Sequence, residues 1–367
     1  MSLKISDITQ FIESVAPLQY QESYDNSGLL VGDKNAVCTN ALLCLDSTEA
    51  VVEEAIEKGC NLIIAHHPII FGGLKKLTGK TYIERTIIKA IQNNIAIYAA
   101  HTNLDNVHVG VNRKICDKIG LQNCKILAPK RQLLKKLQVM CPLSMVDSIK
   151  FELFKAGGGF VGDYQTTSFS SIGISTFDNS STTTATASNG EMKLEMTYAA
   201  HIESRLLRAL FHIHPSERVS YDIFTLNSAY QRIGSGMIGE LPAAVEPIDF
   251  LVDLKAKMNT DCVRHTALPK QKIQKIAVCG GVGSFLLPKA ISQGADVFVT
   301  SDYKYHQFFD ADNKIIIADI GHYESEQFTV ELFYDLLTKK FSNFEPILSS
   351  VNTCLLYTSP SPRDTLL

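Results

Sequence analysis

Five residues at the ends of three apolar runs have the side chains of a metal site: His66, His67, Asp105, His322 and Glu326. The runs are CNLIIAHHP, IAIYAAHTNLD and KIIIADIGHYESE, each rich in Ile and Ala up to its polar end. Such runs are typical of buried strands in a parallel sheet, and ligands collect beyond the carboxyl ends of such strands. We therefore expect three strands to deliver imidazoles and carboxylates to one edge of one sheet. Five ligands are too many for one ordinary structural zinc, so the set predicts a site for two metals.

The His66-His67 pair is the sharpest local signal in this set. Adjacent side chains of a regular strand point to opposite faces, so both reach one site only where the strand has ended. Pro68 supports such an end because it restricts the backbone of His67. His322 and Glu326 have the i, i+4 spacing that places two side chains on one helix face.

Two further residues are candidates for proton transfer. His101 lies in HTNLD and could be a metal ligand, a hydrogen-bonded partner of a ligand or a general base. We favour the second and third roles for His101. Asp302 lies in SDYKYH after another strand, and this segment either lines the same cleft or forms a solvated edge.

Three other segments carry weaker signals. GGVGS, residues 280–284, could hold a phosphate on its backbone amides, but it lacks the full dinucleotide-binding pattern and a structural tight turn is favoured. Lys75, Lys76 and Lys80 either attract a phosphorylated substrate or belong to a solvated turn, and the turn is favoured. DNSGLLVGD, residues 25–33, is predicted as a turn-rich hairpin.

The composition is that of an ordinary globular protein, with 45% hydrophobic and 20% charged residues. The net charge of −3 gives no support to a nucleic-acid or anionic-membrane surface. No apolar stretch approaches the roughly 20 residues of a membrane helix, and the N-terminal segment predicts an amphipathic helix instead of a signal peptide. The cysteines form no CxxC pair, and Cys44, Cys60 and Cys279 are interpreted as reduced core thiols of a cytoplasmic protein.

Two segments share one strand–helix–strand plan. The first is ALLCLDST, EAVVEEAIEKG and CNLIIAHHP, and the second is KIAVCGGVGS, FLLPKAISQG and ADVFVTSDYKYH. Gly59 and Gly294 are predicted to end the two helices. We interpret the plan as a duplication, although α/β units resemble one another in general. In either case the alternation predicts an α/β fold with a mostly parallel sheet, formed by residues 1–130 and 230–353.

Between the two halves, residues 131–229 predict a smaller inserted α+β domain. The predicted order is βαβ-β-αβ, which suits an antiparallel sheet. Within it, residues 175–190 are rich in Ser and Thr and lack a hydrophobic period, so they predict a flexible loop.

The last residues, 354–367, are predicted to be an artefact. Residues 354–364 read CLLYTSPSPRD, the peptide that a common transposase sequencing adapter encodes when translated in frame. The authentic chain is then expected to end near Thr353, with its own last residues missing. The other interpretation is a natural tail rich in Ser and Pro.

The motifs DNSGLLVGD, AHHP, HTNLD, CGGVGS, SDYKYH and GHYESE occur in this order in the family of GTP cyclohydrolase I type 2 homologs, also called NIF-three-like proteins. The chain resembles that family over nearly its whole predicted length, and its insert resembles the PII-like domain of some members. The resemblance implies that the five residues named first hold two divalent ions (zinc, iron or manganese), with Glu326 as the bridge. It also implies a toroidal homo-hexamer, a trimer of dimers.

Two functions follow as expectations. The first is a metal-dependent hydrolase acting on a nucleotide such as GTP or on a phosphoester, with His101 or Asp302 moving protons. The alternative is a non-enzymatic metal-binding scaffold, or a regulatory sensor oligomer. The cyclohydrolase label is an inherited family name with little mechanistic weight, and ligand identity does not encode a substrate.

Overall fold

The computed structural model describes residues 2–160, 166–173, 176–177, 186–187, 191–214 and 219–356, with the backbone alone at 176–177 and 186–187. The described residues divide into two compact units. Residues up to 128 and from 233 onward form the core unit, and residues 129–232 form the insert unit. The sequence predicted limits of 131–229 for the insert.

The two units contain the following strands and helices, which alternate through most of the core unit. The strands are β1 Gly28–Val31, β2 Ala41–Asp46, β3 Leu62–His67, β4 Ala96–Ala99, β5 Gln122–Arg131, β6 Leu134–Pro142, β7 Phe169–Gly173, β8 Thr176–Phe177, β9 Thr186–Ala187, β10 Glu191–Ala199, β11 Tyr221–Leu226, β12 Ala229–Val245, β13 Arg264–His265, β14 Ile273–Val282, β15 Val297–Ser301, β16 Ile316–Asp319 and β17 Ile347–Leu348. The α-helices are α1 Ile5–Val15, α2 Glu49–Glu57, α3 Tyr82–Gln92, α4 Thr102–Asp105, α5 Val111–Ile119, α6 Val146–Lys155, α7 Glu203–Ile213, α8 Pro247–Lys257, α9 Leu287–Ser292, α10 His322–Glu326 and α11 Thr329–Lys340. Within the described residues, none of these helices combines the length and apolar character that a membrane span requires.

The first sheet of the core unit has the order β1-β4-β3-β2-β17. Strands β4, β3, β2 and β17 are parallel, and β1 runs antiparallel to β4. The residues of β2, β3 and β4 are buried almost throughout. Both faces are therefore covered, which explains why these strands are continuous apolar runs without alternation.

The second sheet has the order β13-β16-β15-β14-β12-β5. Strands β14, β15 and β16 are parallel, with β12 antiparallel to β14 and β13 antiparallel to β16. The two parallel triplets, β2-β3-β4 and β14-β15-β16, have the same spatial order and an intervening helix after their first strand. This matches the predicted duplication of an α/β unit, and Gly59 and Gly294 follow the two helices with φ of +66° and +71°.

The expectation of one sheet is wrong. The triplets β2-β3-β4 and β14-β15-β16 lie in different sheets, and a run of buried apolar residues does not reveal which sheet it joins. The predicted hairpin at residues 25–33 is wrong too, since that segment gives the single strand β1, whose Gly28 pairs with Ala99. The long strand β12 had no counterpart among the sequence predictions, because its Gly-rich sequence lacks a strand period.

The insert unit has the predicted alternation of strands and helices. Its strands β6, β7, β10 and β11 form an antiparallel sheet in the order β11-β6-β10-β7. Helices α6 and α7 pack on this sheet through residues such as Leu153 and Leu206, which give the unit a hydrophobic core of its own. The predicted loop at 175–190 lies outside the described residues, apart from the backbone pairing of β8 with β9.

Candidate metal centre

All five predicted ligands lie together in the core unit. His66 and His67 are the last residues of β3, and Asp105 ends α4, which directly follows β4. His322 and Glu326 are the first and last residues of α10, which follows β16 of the other sheet. The cluster therefore forms where the carboxyl ends of two sheets meet, because side chains beyond parallel strands gather at that edge.

Asn112 of α5 holds the two halves together beside the cluster. Its Nδ2 donates a hydrogen bond to the backbone oxygen of Asp105 at 3.0 Å, and its Oδ1 accepts one from the amide of Gly280 at 3.0 Å. Asn112 is 2% exposed, so these bonds face little competition from water. Asn112 therefore fixes the end of α4, where Asp105 lies, relative to β14.

Glu326 is the carboxylate at the middle of the cluster. Its Oε2 lies 3.0 Å from Nε2 of His67, 3.1 Å from Nε2 of His322 and 3.8 Å from Nε2 of His66. The side chain is 3% exposed, so this charge is removed from bulk water. A buried carboxylate needs compensating positive charge, and three imidazole nitrogens converge on it.

Two atoms of the cluster are buried without a hydrogen-bond partner. Nε2 of His66 and Oδ1 of Asp105 lie 3.6 Å apart, which is too long for a hydrogen bond. Two ligands of one tetrahedral metal ion are separated by about 3.4 Å, given metal–ligand bonds of about 2.1 Å. The residues therefore fit a divalent cation on an observation that hydrogen bonding leaves unexplained.

Each histidine of the cluster uses its Nδ1 atom for a second partner. Nδ1 of His66 lies 2.9 Å from the backbone oxygen of Ala100, so it is the donor and Nε2 is left free to bind a metal. Nδ1 of His67 lies 2.7 Å from Oδ1 of Asp46, and Nδ1 of His322 lies 2.6 Å from Oδ2 of Asp302. Metal-binding histidines are oriented in this way by carboxylates and carbonyls.

His101 follows the same pattern, since its Nδ1 lies 2.8 Å from Oδ1 of Asp25. Its ring centroid is 5.3 Å from that of His66 and 5.4 Å from that of His67. One ring nitrogen from each of these three histidines lies within 4.8 Å of the others. The structure therefore brings His101 to the cluster itself, with one nitrogen anchored by Asp25.

The other predicted residues are placed as follows. Asp302 contacts the cluster through His322 and has a φ of +58°. Lys304 and His306 of the same segment are exposed, as are Lys75, Lys76 and Lys80. The segment thus divides between the cleft and a solvated edge.

The backbone of the GGVGS segment packs closely against the cluster. The amide of Gly281 donates to Oγ of Ser325 at 3.0 Å, so that amide already has a partner within the protein. A Cβ atom on Gly281 would lie 2.5 Å from Oε1 of Glu326, and its φ of +60° is in the left-handed region. Gly281 is therefore required by the approach of Glu326, which agrees with the structural turn favoured from sequence.

The carboxylates shape the acid–base properties of the cluster. Burial lowers the pKa of His67, but the hydrogen bonds that its ring donates to Asp46 and Glu326 outweigh this effect and raise that pKa to about 10. For His322, the bonds to Glu326 and Asp302 likewise outweigh burial and raise the pKa to about 9. Burial and the neighbouring Glu326 raise the pKa of Asp105 well above its ordinary value. The raised pKa values of the two histidines have the direction expected where negative charge is concentrated.

Sequence reasoning missed Asp25 and Asp46, the partners of His101 and His67. Asp46 ends the apolar run ALLCLD, and the residues of the cluster follow runs of the same kind, so this signal could have identified it. Asp25 follows no such run, so only the folded chain reveals its contact with His101.

A cavity of about 740 Å³ opens from the cluster. His67, His101, His322 and Glu326 line it beside apolar and aromatic side chains of the segments that follow β3 and β14. Sites for small molecules are concave in this way and have few polar groups. The residues of the cluster are thus accessible to a small molecule in the cavity.

Comparison with known proteins gives consistent similarities over nearly the whole chain. Residues 3–354 match the family model described as Duf34/NIF3 (NGG1p interacting factor 3). A Staphylococcus aureus protein named GTP cyclohydrolase 1 type 2 homolog is 35% identical over 366 residues, which cover 98% of this chain and 99% of that protein. A Halalkalibacterium halodurans protein of the same name is 34% identical over 358 residues, 94% of this chain and 96% of that protein.

The fold is similar to a solved structure as well. The crystal structure of a Bacillus cereus protein related to NIF3 matches with a TM-score of 0.85 and 32% identity, and the match covers 98% of this chain and 100% of that one. The match includes the insert unit as well as the core unit. These findings confirm the resemblance that the six motifs predicted.

Proposed function

The chain belongs to the Duf34/NIF3 family, and we propose that it is a metal-dependent hydrolase built on two divalent ions in the core unit. The observation that carries the proposal is the buried pair of unpartnered atoms, Nε2 of His66 and Oδ1 of Asp105. Unpartnered buried polar atoms are costly, and a cation between them removes that cost. The names of the relatives give no mechanism by themselves.

The ligands divide into two sets that share one residue. His66, Asp105 and Glu326 offer one ligand atom each within 4.8 Å of one another, and so do His67, His322 and Glu326. We assign the first ion to the former set and the second ion to the latter. Glu326 belongs to both, which supports its role as the bridge. Imidazole with carboxylate suits zinc, iron or manganese.

Ions held in this way would supply Lewis acidity and a water that ionises near neutral pH. The protein's own contribution is orientation and proton handling. Asp46 and Asp302 fix the rings of His67 and His322, so the contacts of Asp302 favour positioning over the proton transfer expected from sequence. His101 keeps one ring nitrogen at the cluster while Asp25 holds the other, which supports a role in binding or moving a proton at that atom.

The insert unit supports a second candidate function, that of a regulatory sensor or metal-binding scaffold. Residues 129–232 form their own compact unit with their own core and contribute no residue to the cluster of the described chain. We propose that this unit folds autonomously and is PII-like, which the βαββαβ order of its two helices and the four strands of its main sheet supports. A homo-hexamer, a trimer of dimers, remains the proposed assembly. A cytoplasmic location is proposed as well, supported by the free state of the eight cysteines that precede the predicted adapter-encoded tail.

The hydrolase proposal is tested by a screen for turnover. Protein loaded with zinc, iron or manganese is assayed against nucleotides, phosphodiesters, phosphomonoesters and aromatic esters, beside protein treated with chelator. We expect metal-dependent turnover of at least one class, abolished in His66→Ala and Asp105→Ala. Absence of turnover in all metal forms would favour the scaffold function.

A further inference from the structure

The cavity above the cluster has exposed aromatic side chains at its mouth. Tyr24, Phe71, Tyr82 and Phe285 line it, and their exposed fractions are 69%, 54%, 60% and 65%. Each ring leaves a large apolar area in contact with water. Aromatic rings that surround a concave site recover this cost when they pack against a ligand.

Phe71 connects this aromatic mouth to the cluster. Its ring lies edge-on to that of His101, with the centroids 5.6 Å apart and the planes at 86°. His101 in turn adjoins His66 and His67. A planar ring packed on Phe71 would therefore place the bond to its substituent beside the proposed ions.

The charge of the cavity is unsuited to a polyphosphate. Among the described residues that line it, there is no lysine or arginine, whereas Glu22, Asp46, Asp105 and Glu326 contribute carboxylates. Lys75, Lys76 and Lys80 follow the cavity wall in sequence but are exposed and not part of the lining. Polyphosphate recognition relies on cationic side chains and backbone amides around each phosphate, so here the ions alone would supply positive charge.

We infer that the substrate carries a planar aromatic or heteroaromatic ring joined to one hydrolysable acyl or phosphoryl group, and that it is not a nucleoside triphosphate. The ring packs among Phe71, Phe285 and their neighbours, and the single polar group faces the cluster. This inference rests on the proposed hydrolase function and specifies its substrate class. It also excludes the nucleoside triphosphate substrate that the name of the relatives suggests.

The test compares two anions that differ by a ring. Phenyl phosphate and inorganic phosphate are titrated calorimetrically into metal-loaded protein at a pH where both are dianions. We expect phenyl phosphate to bind at least about fivefold tighter, since ring stacking carries that much affinity. In Phe71→Ala/Phe285→Ala the preference should fall close to unity while phosphate affinity is unchanged. Equal affinity for the two anions in the parent, or no binding of either, overturns the inference.

Two controls sharpen the result. Phe71→Tyr/Phe285→Tyr keeps both rings and should retain the preference, whereas Phe309→Ala removes an aromatic side chain that does not line this cavity and should leave it intact. Loss of the preference in Phe309→Ala would mean that the ring binds elsewhere, and it would overturn the inference.

A second set of titrations varies the number of phosphate groups in the added nucleotide. Guanosine monophosphate and GTP, both with excess Mg²⁺, should bind with similar affinity, because the lining offers no cationic side chain for the added phosphates. GTP binding more than about tenfold tighter would overturn the inference. These titrations require no turnover, so ring-dependent binding without hydrolysis would refute the proposed function alone. Hydrolysis without ring dependence would refute only the substrate class.

Discussion

Nε2 of His66 lies 3.6 Å from Oδ1 of Asp105, and both buried atoms lack a hydrogen-bond partner. Nδ1 of His66 is engaged by the backbone oxygen of Ala100, so Nε2 is the ring nitrogen that is left facing Asp105. Two apposed acceptors, imidazole nitrogen and carboxylate oxygen, are stable in a protein interior when a cation lies between them. This relationship is the basis of the predictions that follow.

The carboxylates behind the histidines should control metal affinity. Asp46→Asn removes the charge at Nδ1 of His67 but keeps the shape of the side chain, and we expect metal affinity to fall by roughly 10- to 100-fold. Competitive titration with a chromophoric chelator measures the change. The matched control is Asp261→Asn at an exposed position. Equal affinities in parent and Asp46→Asn would show that the Asp46 carboxylate does not support the ligand.

The close approach of Gly281 to Glu326 predicts a selective effect of a single methyl group. Gly281→Ala places Cβ 2.5 Å from Oε1 of Glu326 and also requires the left-handed φ of +60°. Gly294→Ala has a similar φ of +71° but nothing within 4 Å of its Cβ. We expect both variants to lose roughly 1 kcal/mol through backbone strain and only Gly281→Ala to lose bound metal. Thermal unfolding and elemental analysis separate the two effects, and full metal retention in Gly281→Ala would contradict the required contact.

Glu54 predicts a pH dependence of stability away from the metal centre. Burial raises the pKa of this carboxyl, but hydrogen bonds from Lys58, Ser349 and Ser350 outweigh it and lower the pKa from 4.5 to about 2. A depressed folded-state pKa stabilises the fold above the unfolded-state value, and this contribution is lost as pH falls through about 2. Glu54→Gln should therefore be less stable than the parent near neutral pH, by roughly 1.5–3 kcal/mol.

The check for Glu54 is urea unfolding of parent and Glu54→Gln across the acidic range. The difference in unfolding free energy should shrink steadily between about pH 5 and pH 2. Glu57→Gln, at an exposed position of the same helix, should show no such trend. A difference that stays constant with pH would mean that the charge of Glu54 is not what matters.

Removal of residues 354–367, the predicted adapter-encoded tail, should leave folding and metal binding unchanged. Thr353, which stays in the truncated chain, donates a hydrogen bond from Oγ1 to Oδ2 of Asp46 at 2.6 Å and so supports His67 indirectly. Leu355 lines the cavity but is 87% exposed, which offers little packing energy. Melting temperatures and metal content of the two chains provide the test. A clear fall on truncation would show that the tail packs, whereas Thr353→Val is expected to weaken metal binding.

The meeting of the five residues could be predicted from sequence because apolar runs end at the cluster. His66, His67 and Asp105 follow apolar strands that are buried on both faces, so the change to polar side chains is abrupt and visible. His322 and Glu326 were recognisable because a helix converts the i, i+4 spacing into a shared face.

The parts that were missed depend on tertiary contacts. A strand joins a sheet through hydrogen bonds to the strands at its two edges. The sequence of β16 gives no sign that these neighbours are β15 and β13, in a separate sheet. Asp25 and Asn112 act through partners that are 76 and 168 residues away in the chain. No local pattern encodes such contacts, which explains why the five residues of the cluster were predicted whereas Asp25 and Asn112 were not.

Elemental analysis of purified Glu326→Gln tests the central claim most directly. If Glu326 bridges two ions, the parent should hold close to two divalent metals per chain and Glu326→Gln close to none, because both ligand sets contain this carboxylate. Glu324→Gln, which alters a carboxylate of the same helix outside both sets, should retain the metal content of the parent. Full metal retention in Glu326→Gln, or a parent that binds no more than one ion when metal is in excess, would contradict the dinuclear centre.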